Sequence, residues 1–185
     1  MSLTAGSPLS MYSGQWYAMP HARSGGTLTV TALRCYFHTI LVPSRTRFSN
    51  IGCATSAGVA ATNGRVGLYT MREGKPHLKV FESASFATTG SGALSNAFTG
   101  PHGSGGTYLE AGYYFGAFCS DGAPTLRVVL SSVDTAFGIA TLTTTTNVQQ
   151  YMYAGLASLS MPADASGLSF TFVTGNPPGV LLQVA

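Results

Sequence analysis

The chain has 185 residues, of which nine are basic and six acidic, giving a charged fraction of 8% and a formal net charge of +3. A typical soluble domain carries roughly a quarter charged residues, so most of what hydrates a surface and keeps neighbours apart is missing here. A hydrophobic content of 45% excludes a disordered chain, no apolar run reaches the ~20 residues of a membrane span, and Lys and Arg are too sparse for a nucleic-acid surface.

In chain order, residues 1–25 read as a polar arm or anchor segment, without a secretory leader, and residues 26–185 as one β-domain. Within the arm, residues 15–19 read as a short strand or docking segment. Residues 27–33 alternate, placing Leu28, Val30 and Ala32 on one face; Leu33, Cys35 and Phe37 then take the opposite parity, which predicts a bulge or turn at 32–34. The run continues to Pro43, which ends it. Residues 47–55 form the next strand. Residues 65–72 form another, with Val66 and Leu68 on one face and Tyr69 and Met71 on the other. A turn over 73–77 leads to a strand at 78–82. The Gly/Ser/Thr-rich stretch 83–107 is too long for an ordinary connection and has room for a helical turn at 93–98.

Residues 108–119 give the strongest strand signal. Tyr113, Phe115, Ala117 and Cys119 share one face and Tyr114, Gly116 and Phe118 the other, so this strand is expected to be central. Strands at 126–130, 150–156, 167–173 and 180–184 complete about nine or ten. The fold class is all-β: an antiparallel β-sandwich, with jelly-roll topology preferred.

Catalytic patterns are missing. No two of the six carboxylates lie closer than nine residues, and His21, His38, His77 and His102 form no H-x-H or H-E-x-x-H pair. His38, within a strand, reads as a structural histidine; His77 and His102 read as solvated loop residues. The Gly-rich stretch 103–107 precedes a strand and has no Lys, so it reads as a loop and not a phosphate cradle. No metal site, cofactor or enzymatic activity is expected. Cys35, Cys53 and Cys119 read as reduced core thiols, with one buried disulfide as the alternative.

Binding residues are better represented. Tyr113, Tyr114, Tyr151 and Tyr153 are aromatics with a polar tip, suited to an aromatic core, a subunit interface or a stacking platform for sugar rings. Trp16, Tyr17, Arg45 and Arg47 are candidate anchor or interface residues. Eight of the nine basic residues fall in 1–80, and five of the six acidic ones in 81–185. Either the two halves interleave within one sandwich, or a basic patch on one subunit meets an acidic patch on the next.

The order Arg65-Val-Gly-Leu-Tyr-Thr, a Gly74-Lys-Pro turn, then Leu109-Glu-Ala-Gly-Tyr-Tyr-Phe-Gly-Ala resembles β-sandwich modules of tailed-phage virion proteins. These are tail fibres, head fibres and related receptor-binding or decoration proteins. The resemblance covers about residues 45–130. It implies a homotrimer at the periphery of a virion, in contact with other virion proteins and with host-surface polysaccharide as a candidate ligand. It also implies synthesis in the bacterial cytoplasm, and no catalytic residues. A stand-alone carbohydrate-binding module is the alternative.

Overall fold

Turn residues recur too closely along this chain for helices to propagate. The computed structural model describes residues 11–17, 23–98, 106–130 and 149–185, and among these there is no helix. Fourteen strands form: β1 (Trp16–Tyr17), β2 (Arg23–Thr29), β3 (Arg34–Val42), β4 (Thr46–Ala57), β5 (Asn63–Arg72), β6 (Lys75–Glu82) and β7 (Phe86–Ala87) in the first half. β8 (Gly92–Ala97), β9 (Thr107–Leu109), β10 (Gly112–Ser120), β11 (Thr125–Leu130), β12 (Gln149–Gly155), β13 (Thr171–Thr174) and β14 (Leu181–Val184) follow.

They make two antiparallel sheets of seven strands each. The first runs β1-β14-β4-β11-β2, with β8 and β9 on the opposite edge of β4. The second runs β13-β12-β3-β10-β5-β6, with β7 also on β5. Inward residues of both sheets, among them Phe48, Ile51, Leu126 and Leu182 from the first and Tyr36, Ile40, Val66 and Phe118 from the second, share one apolar core. The all-β, sandwich-like architecture expected from the sequence is present, and β10 is interior, between β3 and β5.

The strand count exceeds the nine or ten expected. Among the additional strands, β7 is a ladder of only two residues, as short as β1, which falls where the short strand or docking segment was expected. Residues 93–98 make no helical turn: β8 pairs with β4 from Asn50 to Thr55 and satisfies backbone groups that would otherwise be unpaired. The run 108–119 is broken at Glu110 and Ala111, because β9 belongs to the first sheet and β10 to the second. At the expected turn near 32–34, Leu33 has φ 57°, and Ala32 sits exposed in the turn instead of on the inner face with Val30. The 73–77 turn shortens to Glu73 and Gly74, and Pro76 is tolerated inside β6 because β6 lies at the edge of the strand order.

Much of the second sheet is buried on its outer face as well. Its outer face carries Cys35, Phe37, Tyr69, Phe115, Ala117, Cys119 and Met152, which form a second apolar cluster. Residues 156–170, between β12 and β13, cover it. This strap packs Leu156, Leu159 and Met161 over the sheet, reaches β6, and returns through Leu168 and Phe170. At β6 the Lys79 amide donates to Ala163 O (2.9 Å) and the Ala165 amide to His77 O (2.8 Å). That contact also protects the edge of β6.

Candidate functional site

The four tyrosines singled out from the sequence do not form one platform. Tyr151 and Tyr153 share a face of β12, as their spacing implies, but it is the inner face. Tyr151 is 6% exposed, and both rings pack on Tyr36 with centroid distances of 6.2 and 5.9 Å. Arg34 lies over Tyr153, 4.4 Å from the ring centre. Tyr114 packs inward and donates from its hydroxyl to Glu110 O at 3.1 Å; burial, the largest cause, pushes its phenol up. Tyr113 alone of the four is well exposed, on the outer face of the second sheet.

Trp16, Tyr17, Arg45 and Arg47 all lie at the first sheet. Arg45 pairs with Glu110 (2.9 Å) and stacks on Tyr108, 4.2 Å from the ring centre. Arg47 stands opposite Tyr108 in the β4–β9 ladder. Tyr17 turns towards the core, and its hydroxyl accepts from the Tyr12 amide at 2.8 Å. Trp16 has the opposite parity, and its ring rests on the outer face of β4. A Cβ placed on Gly52 would meet Leu94 O at 2.6 Å and Trp16 Cη2 and Cζ3 at 3.2 Å, so glycine at this position makes room for the β8 backbone and for the indole.

Beside this ring is a groove of about 340 Å³, lined by Trp16, Gly52, Ala54, Ala93, Ser95 and Leu181, among others. Register assembles it: Ser95 and Leu181 both stand opposite Gly52, and Ala93 opposite Ala54. The next row contains Trp16, Gln183, Asn50 and Ala97. Asn50 Nδ2 donates to Gln183 Oε1 (2.7 Å), and Gln183 Nε2 donates to Gly14 O (2.9 Å), fixing both amides. No charged side chain lines the groove. Sequence reasoning identified Trp16 and missed the rest, because Gly, Ala and Ser carry no pattern that marks a site.

The titratable groups are arranged for structure. Glu82 receives Lys79 Nζ (2.5 Å), Arg65 Nη1 (3.1 Å) and the Met161 amide (2.9 Å). Burial pushes its carboxyl up, but the Lys79 and Met161 hydrogen bonds and the two cations outweigh that and hold it below the ordinary value. Lys79 also donates to Met161 O (2.7 Å) and Tyr69 OH to Pro162 O (2.7 Å), so the cluster ties the strap to β5 and β6. His38 is 1% exposed, and its Nε2 accepts from the Val180 amide at 3.1 Å. His77 lines a polar pocket at the Glu73–Gly74 turn with Arg72, Lys75 and Asp164. His21, His102 and residues 103–105 lie outside the described residues. Among the described residues, no group of three or more His, Cys, Asp or Glu is placed to hold a metal ion.

The basic and acidic halves interleave. Arg45 with Glu110, Arg65 with Glu82 and Lys79 with Glu82 each join a base from residues 1–80 to an acid from 81–185. No protein-family model matches this chain, and no curated protein matches it either.

Proposed function

We propose that this chain is a non-enzymatic structural subunit of a phage or phage-like particle. It would serve as a spike, fibre head or decoration subunit, built as a trimer of jelly-roll-type sandwiches and contacting host-surface polysaccharide. The carrying observation is what happens to the few charges: Arg45, Arg65, Lys79, Glu82 and Glu110 are engaged in ion pairs within the chain. With a charged fraction of only 8% and these residues paired within the chain, the surface has little like-charge repulsion or desolvation cost to oppose close packing of identical subunits. Pairing of strands far apart in sequence, such as β3 with β10 and β4 with β14, supports the jelly-roll topology. The motifs of residues 45–130 support the virion assignment.

Native mass spectrometry of the full chain tests the reading, with a trimer as the expected result. A stable monomer that binds glycan would replace it with the second reading, a stand-alone carbohydrate-binding module, which the Trp16 groove favours. A stable monomer without glycan binding would remove both.

A further inference from the structure

We propose that the Trp16 groove binds a neutral glycan, an uncharged chain of pyranose rings; this rests on the polysaccharide-binding part of the reading above. It moves the stacking platform away from the tyrosines, three of which face the core, to the outer face of the first sheet.

Four features of the groove match that ligand. Trp16 is 38% exposed while part of its ring rests on Gly52, so the indole is held in place and still open on one side. Its π-face suits the C–H face of a sugar ring. The floor of Gly52, Ala54 and Ala93 is low, leaving about 340 Å³ beside the ring, within the roughly 300–1,000 Å³ usual for small-ligand sites.

The polar groups nearby are neutral. Asn50 and Gln183 hold each other in place, while Asn50 Oδ1 and the Ser95 hydroxyl make no hydrogen bond among the described residues. A fixed amide oxygen and a hydroxyl are partners for sugar hydroxyls. Finally, the lining offers no charged side chain, so an anionic or cationic ligand would lose hydration without gaining a partner.

Trp16 is the chain's only tryptophan, so its emission reports on this site. The full chain would be titrated with neutral gluco-, manno- and galacto-oligosaccharides, with polygalacturonate as the charged control. Affinity gel electrophoresis would compare it with Trp16→Ala, Ala93→Glu and Tyr113→Ala. At least one neutral probe is expected to give a saturable emission change. Retardation should weaken about tenfold or more in the first two variants, the scale of one lost stacking contact, and stay unchanged in Tyr113→Ala. Ala93 is exposed, so its variant tests the site even if Trp16→Ala loosens β1.

The proposal is overturned if no neutral probe saturates by ~10 mM, a concentration at which even weak sites fill. It is equally overturned if both groove variants bind normally, if polygalacturonate binds best, or if emission follows protein concentration alone, which would make the groove a contact between copies. A trimer by native mass that binds no glycan would end this inference and leave the structural-subunit reading in place.

Discussion

His38 shows how a polar side chain is accommodated in this core. Nε2 accepts from the Val180 amide, so the proton sits on Nδ1, which lies 3.2 Å from Thr39 O. Gly116 stands opposite His38 in the β3–β10 ladder, and a Cβ there would meet Ile40 Cδ1 at 2.8 Å and His38 Nε2 at 3.1 Å. His38→Leu leaves the Val180 amide buried without its acceptor and should cost about 1–3 kcal/mol, read as a lower urea midpoint. Glu82 gives a pH signature. Its folded-state value is depressed, so its stabilisation is complete above the ordinary carboxylate value of 4.5 and is lost as pH falls through the folded value. Urea midpoints measured from pH 6 down to pH 3 should therefore fall more steeply in the native chain than in Glu82→Gln, in which that titration is absent.

Two elements carry consequences of their own. The β5–β6 turn places Glu73 (φ 52°) and Gly74 (φ 72°) in the left-handed region, the pattern of a two-residue hairpin that favours Asn-Gly. Glu73→Asn should raise stability by up to about 1 kcal/mol, since the Arg72–Glu73 pair it removes is exposed and 4.0 Å apart. The strap depends on its own Met161, whose side chain is 2% exposed. Met161→Ala should cost about 2–5 kcal/mol and accelerate hydrogen exchange at the Lys79 and Ala165 amides, which pair across the strap and β6. Alternation made β3, β5 and β10 legible from sequence, down to which face holds Val66 and which holds Tyr69. The strap was not legible: a segment of Leu, Ser and Met with no period gains its place from the apolar face it covers. Nor was the groove, whose walls come from β1, β4, β8 and β14, strands that meet only through long-range pairing. Residue spacing put Tyr151 and Tyr153 on one face, but it could not say that the face turns inward.

For the whole molecule, the three cysteines are a gauge of integrity. All are free and buried: Cys35 and Cys119 face each other across β3 and β10 beneath the strap, and Cys53 lies in the core between the sheets. Burial is the main cause pushing Cys53 and Cys119 up to about 12. A thiol reagent at pH 8 should label none of them in the folded protein and all three in denaturant. Fast labelling of any one under native conditions would contradict its burial. The strap also imposes an order on biosynthesis. Every strand whose outer face it covers in β3, β5, β6 and β10 leaves the ribosome before it does, and β14, which lies beside β4, is made later still. Until residue 170 has emerged, Phe37, Tyr69 and Phe115 belong to a nascent sheet that the complete strap does not yet cover. The growing chain therefore passes through a stage more prone to aggregation than its finished form, and shielding by a chaperone matters most during translation of the last third.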